Sequence, residues 1–426
     1  MRKVCDTFIA MTILSLLRKI TPKFLLNFYH YAVAFAGAVF FGFPSKKLIV
    51  IGVTGTSGKS TTVDFVTRIL EGADNKVAST SSVRFKIGGK EWENKLKMTM
   101  PGRFMMQKFL RQAVKEGCEY AVLEVTSEGI KQFRHKFINF DSVVFLNLTP
   151  EHIESHGSFE KYRLAKMELF KETKNVHIIN ADDENASYFA DLPANKKILY
   201  SVKNKSNIKA DNLTLNKDGF EFTVNGTIIN MHLVGGFNVY NALAAMAVCL
   251  NYDVSLEKCK KALEKIKGMP GRLEVVAKEP FWVVVDYAFT PDQLEACYKS
   301  LNHRPLVCVL GATGGGRDKW KRPVLGKIAA QYCREIFITN EDPYDEDPWE
   351  IMEQVASGVQ NQRPDTYRLI LDRKEAIKKA IKTANPTDTV IITGKGSEPL
   401  MVVANGKKIP WDDREIVKEL LDKYIK

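Results

Sequence analysis

LIVIGVTGTSGKSTTVDFVTRIL, residues 48–70, decides the fold. It opens on a continuous apolar run rich in β-branched side chains, passes through TGTSGKSTT at 54–62, and continues with apolar residues at helical spacing. Strand, glycine-rich turn and helix in that order form the setting in which a phosphate-binding loop works. Gly55 and Gly58, with Thr56 and Ser57 between them, let backbone amides approach phosphate oxygens. Lys59 supplies positive charge at the outer phosphates, and Ser60 or Thr61 offers a hydroxyl to magnesium. The expected ligands are therefore ATP and Mg2+. The strict GxxxxGK spacing is not met, because residue 53 is valine.

Outward from this loop, strands and helices alternate to about residue 270, the pattern of an open parallel α/β sheet. Residues 121–125 read as a buried strand carrying one acid, Glu124, which is costly there unless paired or on a metal. Residues 268–272 read as a linker into another α/β unit, where 283–288 form a second strand ending in an acid, Asp286.

The 426 residues are 45% hydrophobic and 26% charged, ordinary globular usage that excludes a small disulfide-stapled fold, a fibre and a wholly disordered chain. The net charge is +12, and residues 1–47 hold seven basic side chains (Arg2, Lys3, Arg18, Lys19, Lys23, Lys46, Lys47) against Asp6, which is 7 − 1 = +6. Basic residues mixed with apolar ones suggest anionic lipid rather than nucleic acid. Two apolar stretches, 7–20 and 24–43, carry this charge, and the second has the length for a bilayer crossing, about 20 residues. A single crossing would export the ATP-binding unit, and a cleaved signal peptide fits poorly. The alternatives are a hairpin dipping into the membrane from the cytosolic side, two interfacial helices, or a helical pair packed on the protein or in a dimer interface. Seven scattered cysteines, none spaced as CxxC, indicate neither a disulfide framework nor a zinc site, and so a reducing, cytoplasmic compartment.

Further motifs give the chain a family resemblance. TGTSGKSTT, LEVTSEGIKQFRH (123–135), NLTPEHIESHGSFEKYRLAK (147–166), INADD (179–183), GFNVYNAL (236–243) and VDYAFTP (285–291) resemble, in the same order, the motifs of the Mur ligases, ATP-dependent enzymes that build the peptide of cell-wall precursors. The resemblance implies that Glu124 is a magnesium ligand and that Thr126, Gln132 and Arg134 hold a muramyl substrate, with Glu128 standing where the family has histidine. It implies that His152 binds a second magnesium and that Lys166 is carbamylated, turning a cation into a metal-bridging anion. It also places Asn238 and Asn241 on the adenine side of the cleft, Arg272 on ATP and Asp286 on the ribose. Phe289 replaces the family's histidine. Read without the family, His152, His156 and Lys166 are surface polar residues, and Asn238 and Asn241 are helix caps.

GATGGGRDKWKRP (311–323) and GKGSE (394–398) resemble the branch that adds the third, diamino, residue. The resemblance puts Arg317 on the incoming carboxylate, as suits a guanidinium fork, and Gly394 and Glu398 near the incoming amine. The branch's DNPR selectivity motif, whose arginine pairs with a distal carboxylate, is here Glu341-Asp342-Pro343-Tyr344, followed by Asp345, Glu346 and Asp347. An acidic rim favours a side chain ending in an amine, such as lysine or ornithine.

The expected architecture is an apolar, basic helical segment (1–46), a central P-loop ATPase domain with a parallel sheet (47–268) and a Rossmann-like C-terminal α/β domain (269–426). The resemblance covers residues 48–420 and leaves no room before Leu48 for the family's UDP-binding domain, so the apolar head is expected in its place, peripheral to the inner membrane face. The implied reaction is amide ligation through an acyl phosphate on a muramyl-peptide-like acceptor. A ligase of the folylpolyglutamate- or cyanophycin-synthetase kind is the alternative, as is a non-ligating subunit serving an amidotransferase.

Overall fold

The computed structural model describes residues 22–216 and 218–425; the stretch at 7–20 and four of the basic residues, Arg2, Lys3, Arg18 and Lys19, lie outside them. Two α/β units account for most of the chain.

The first is a nine-stranded sheet: β1 (Ile49–Thr54), β2 (Val77–Thr80), β3 (Arg84–Ile87), β4 (Lys90–Glu93), β5 (Tyr120–Glu124), β6 (Ser142–Phe145), β7 (Val176–Asn180), β8 (Lys196–Ser201) and β9 (Ile208–Lys209), in the order 4-3-2-5-1-6-7-8-9. All neighbours are parallel except the two pairs of the β2-β3-β4 edge. β1 lies between β5 and β6 and is buried on both faces, which is why it reads as an unbroken apolar run. One face packs Val53 with Phe65 and Leu243; the other packs Val50 with Leu110 and Phe170. The register sets Val53 beside Glu124 and Thr54 beside Phe145, so the turn after β1 and the acid ending β5 emerge at one sheet edge.

A small three-stranded antiparallel sheet, β10 (Asp211–Asn216), β11 (Gly219–Val224) and β12 (Thr227–Met231), follows, a departure from the expected strand-helix alternation. The second unit is a six-stranded sheet of β13 (Glu274–Ala277), β14 (Trp282–Val285), β15 (Leu306–Leu310), β16 (Cys333–Thr339), β17 (Tyr367–Ile370) and β18 (Thr389–Ile392), in the order 13-14-18-15-16-17. Only β13 is antiparallel. Val285 and Val309 both pair with Ile392, and Leu310 with Ile338, so the loops opening at Asp286, Gly311, Asn340 and Thr393 share one edge. Ligands of open α/β sheets bind outside such carboxyl edges.

Two sequence expectations change. Cys308 on β15 and Cys333 on β16 form a buried disulfide, their Cα atoms 6.0 Å apart, although 25 residues separate them and no spacing announced it. The other described cysteines, 118, 249, 259 and 297, are buried thiols. The apolar stretch 24–43 contains an 18-residue helix, α1 (Lys23–Phe40), and among the described residues no helix is long and apolar enough to cross a membrane. The small side chains Ala34 and Ala38 and the bare Gly37 are buried, and a Cβ on Gly37 would stand 3.2 Å from Phe104 Cα, so α1 lies close against the helix that begins at Arg103. Phe24 and Phe28, away from that contact, are 69% and 70% exposed, and Phe40, whose ring lies 5.5 Å from that of Phe104, is 73% exposed.

Candidate active site

The turn after β1 enters α2 (Lys59–Gly72) through Gly58, whose φ of 81° is left-handed and whose Cβ would meet Asn241 Oδ1 at 2.3 Å; only glycine fits. Asn147 Oδ1 accepts the Thr56 and Ser57 amides at 3.1 and 2.8 Å, fixing the loop. Lys59 Nζ donates to the Gly55 and Thr56 carbonyls at 3.0 and 2.9 Å and lies 4.0 Å from Glu124 Oε1. Burial pushes this ammonium below its ordinary pKa, with Glu124 opposing. Glu124 Oε2 accepts from Ser60 Oγ at 2.8 Å and from the Ser82 amide at 2.9 Å, which resolves the cost of an acid in a buried strand. Thr61 is buried, and Thr62 Oγ1 donates to Asn241 at 3.3 Å. Asn241 bonds Asn238 at 2.9 Å and Asn238 bonds the Val234 carbonyl at 3.1 Å; neither caps its helix (Asn238–Asn251), so the capping alternative does not hold.

Lys166, on the helix Phe159–Glu172, is buried directly beneath the loop: Nζ donates to the Gly55 carbonyl at 2.9 Å and lies 4.7 Å from the Tyr162 ring centre. Burial, then the Lys59 charge, hold its pKa well below the ordinary lysine value. His152 lines the cleft in a left-handed backbone conformation, φ 57°. Burial first, then the cationic Arg317 and Lys166, push its imidazole down to about 2, so the ring is neutral. Among the described residues, no three His, Cys, Asp or Glu side chains converge as a metal cluster. Glu124 and Ser60 do present paired oxygen donors, the type that suits Mg2+ bound jointly with phosphates.

A cleft of about 600 Å³ opens above the loop, and its lining includes Thr126, Arg134, His152, Asn238, Arg272, Asp286 and Arg317. Gly55, Lys166 and Gln132 lie outside that lining. Thr126 Oγ1 caps a short helix by accepting from Gly129 N at 3.0 Å; Gln132 Oε1 accepts from Arg134 Nη2 at 2.8 Å and so orients the arginine. Glu128, in place of the family's histidine, faces Ser155 Oγ and lies 3.5 Å from His156 Nε2.

The opposite wall comes from the second unit. Arg272 lies over the Tyr287 ring at 4.2 Å and reaches Ser82 Oγ at 3.4 Å. Asp286 accepts the Leu273 and Ala288 amides, both at 2.6 Å, fastening the hinge to β14; burial raises its pKa against these bonds. Phe289, 5.1 Å from Tyr287, receives the Lys321 ammonium at 4.9 Å. Arg317 is exposed in the cleft. Gly394, at φ 105°, leaves room for Glu341, whose Oε2 a Cβ would meet at 2.0 Å.

The acidic run is not a free rim. Glu341 accepts from Thr313 Oγ1 at 2.6 Å, Asp345 from the Asn405 amide at 2.7 Å, Glu346 from Arg322 at 3.0 Å, and Asp347 caps the helix Pro348–Gln360. Asp342 and Glu398 are paired with two lysines that the sequence reading passed over, Lys97 and Lys395. Also missed were the residues that join the two units: Lys321 to Glu151 at 2.9 Å, Asp318 to the Glu154 amide at 2.9 Å, and Gln293 Nε2 to Ser57 Oγ at 2.8 Å. Lys321 and Asp318 stand inside the quoted 311–323 motif, which was the available signal.

Residues 53–249 match the Mur ligase middle domain and 271–396 the Mur ligase glutamate ligase domain. The chain belongs to the Mur ligase family. The UDP-N-acetylmuramoyl-L-alanyl-D-glutamate--2,6-diaminopimelate ligase of Syntrophomonas wolfei is 37% identical over 410 residues, 93% of this chain and 82% of that protein. The like-named ligase 1 of Clostridium acetobutylicum is 38% identical over 92% of this chain and 81% of its own length. A solved structure of such a ligase superposes with a TM-score of 0.60 at 28% identity, covering 89% of this chain and 79% of the other. Folylpolyglutamate synthase of Mycobacterium tuberculosis, at 16% identity and a TM-score of 0.69 over 91% and 96% of the two chains, shares the fold. This Mur ligase is thus an ATP-dependent amino-acid ligase of peptidoglycan synthesis, and the expected α/β architecture holds.

Proposed function

We propose that this Mur ligase joins a diamino acid, diaminopimelate as in the named relatives, to a UDP-N-acetylmuramoyl-dipeptide-like acceptor. The observation that carries the reading is the single cleft in which Lys59, Ser60 and Glu124 of one unit face Arg272, Asp286 and Arg317 of the other. The acceptor carboxylate attacks the γ-phosphorus of ATP, ADP leaves, and an acyl phosphate forms. The incoming amine then attacks the acyl carbon, loses a proton, and expels phosphate. Lys59 and the loop amides offset charge on the transferring group, where most phosphoryl-transfer catalysis resides. Ser60 and Glu124 are the residues that would hold Mg2+, which supplies further charge neutralisation; His152 and Lys166 are the candidates for a second site. The Lys166 amine, depressed by burial, suits carbamylation: it adds to CO2 and releases a proton, leaving an anion near Lys59 in place of a second cation. Thr126 and Arg134 face the acceptor, and Asn238 and Asn241 the adenine. Arg317 takes the amino acid's carboxylate, and the cross-unit contacts exclude water from the acyl phosphate. Phosphate release from ATP tests the reading: it is expected only when acceptor and amino acid are both present, and release with either alone would refute it.

The acidic-rim argument for lysine loses its basis, because every acid of the run has a protein partner.

We further propose that α1 docks the enzyme on an anionic membrane face. Its exposed Phe24, Phe28, Tyr31, Phe35 and Phe40, with Lys46 and Lys47 exposed just beyond, have the aromatic and cationic composition of an interfacial helix.

A further inference from the structure

We propose that Lys97 determines amino-acid specificity: with Lys395 it balances Asp342 and Glu398, so that the pocket admits a side chain whose far end carries both an ammonium and a carboxylate. The inference rests on the ligase reading above and concerns the same cleft.

Lys97 comes from the first unit, in the loop after β4, and crosses to the second. Its Nζ lies 2.9 Å from Asp342 Oδ2 and 2.5 Å from Glu398 Oε2. Lys395 Nζ approaches the same two oxygens at 2.8 and 2.7 Å and donates to the Leu400 carbonyl at 2.8 Å. The side chains of Lys97, Lys395, Asp342 and Glu398 are 12%, 0%, 7% and 23% exposed, so all four charges are largely withdrawn from water. Around the quartet, Arg373 is paired with Asp413, the Glu341 carboxyl, bonded only to the neutral Thr313 hydroxyl, is raised by burial toward its uncharged form, and Tyr287 donates its hydroxyl to Glu398 at 3.3 Å. The quartet is thus two cations against two anions.

The loop is built to place that ammonium. Lys97 has a left-handed backbone, φ 54°, a conformation a lysine holds only when its surroundings impose it. Asn94 imposes it, donating to the Ser81 and Met98 carbonyls at 2.8 and 3.0 Å and accepting the Leu96 amide at 3.0 Å.

Charge balance then selects the substrate. A lone ammonium entering between Asp342 and Glu398 leaves three cations with two anions in a desolvated site, and a lone carboxylate leaves the opposite excess; both are penalised. A zwitterionic far end exchanges partners without net charge: its ammonium takes the place of the Lys97 Nζ between the acids, and its carboxylate pairs with the released lysine. Tyr344 has no cation to offer that carboxylate, so the lysine does the work of a guanidinium.

The test is steady-state ligation by the full-length enzyme with ATP, UDP-N-acetylmuramoyl-dipeptide, and either meso-diaminopimelate or lysine. The wild type is expected to prefer diaminopimelate by roughly 10⁴-fold in kcat/KM, the range commanded by a site built to pair a polar group that the competing substrate lacks. Lys97→Met should erase most of that preference through a raised KM for diaminopimelate, and Lys97→Arg should retain it. If Lys97→Met unfolds, Lys97→Gln, which keeps a hydrogen-bond donor to both acids but removes the charge, carries the test, with the preference again lost. A preference kept in either variant, or a wild type that favours lysine, overturns the role of Lys97 and leaves the ligase standing. A wild type that joins neither amino acid overturns both.

Discussion

Lys321 Nζ lies 2.9 Å from Glu151 Oε1, and this ion pair, with side chains 2% and 3% exposed, joins two units whose residues stand 170 positions apart. Removing one partner strands the other charge in the dry interface. Lys321→Met should therefore cost about 3–5 kcal/mol, and Lys321→Met/Glu151→Gln should recover most of it. Denaturant unfolding of the two single variants and the double variant checks this. Additive losses would show that the contact carries no coupling.

Lys166→Ala removes the buried amine beneath the phosphate loop. We expect kcat to fall by about 10²–10³-fold or more, as when a transition-state electrostatic group is lost. Wild-type turnover should decay in CO2-free buffer and return with bicarbonate, while the variant ignores bicarbonate. An active Lys166→Ala enzyme would falsify the assignment.

Gly394→Ala asks a residue with a side chain to adopt φ 105° with its Cβ 2.0 Å from Glu341 Oε2. The strain is expected to lower stability by about 1–3 kcal/mol and to raise KM for the amino acid while that for ATP holds. Thermal melting together with the two KM values reads both effects. An unchanged amino-acid KM would separate this glycine from the substrate.

Burial alone would raise the Asp342 carboxyl, but Lys395 and then Lys97 outweigh it and hold it below the usual range. A carboxyl depressed in the folded state contributes stability above its unfolded pKa, about 3.9. That contribution disappears as pH falls through the lower folded value. The stability gap between wild type and Asp342→Asn should accordingly be constant near neutrality and shrink below about pH 4. A gap that widens on acidification reverses the sign of the argument.

Charged replacements on the exposed side of α1, Phe24→Glu with Phe28→Glu, should abolish sedimentation with phosphatidylglycerol vesicles at unchanged melting temperature. These are better probes than deleting the helix, since deletion would also bare the surface beneath Ala34 and Ala38. Retained sedimentation would remove the membrane proposal.

The phosphate loop was legible because all its determinants are local: β-branched residues before it, glycines at 55 and 58, and apolar helical spacing after it. Glu124 was legible as a misplaced charge, an acid in a strand that otherwise admits none. The pairings of Lys97, Gln293 and Lys321 left no such trace, since their partners stand 245, 236 and 170 residues away and no period connects them. The acidic run misled for the same reason: charges are visible in a sequence, but the amides and lysines that answer them are not. The Cys308–Cys333 bridge depends on the register of two neighbouring parallel strands, which spacing alone does not encode.

Gln293 Nε2 donates to Ser57 Oγ at 2.8 Å, so the second unit touches the phosphate loop itself. Any ligand that draws this contact tighter on one side must do so on the other. Nucleotide and amino acid are therefore expected to raise each other's affinity by one and the same factor, the reciprocity that equilibrium linkage demands. That cooperativity would couple occupancy of the two units in this Mur ligase without a dedicated regulatory site.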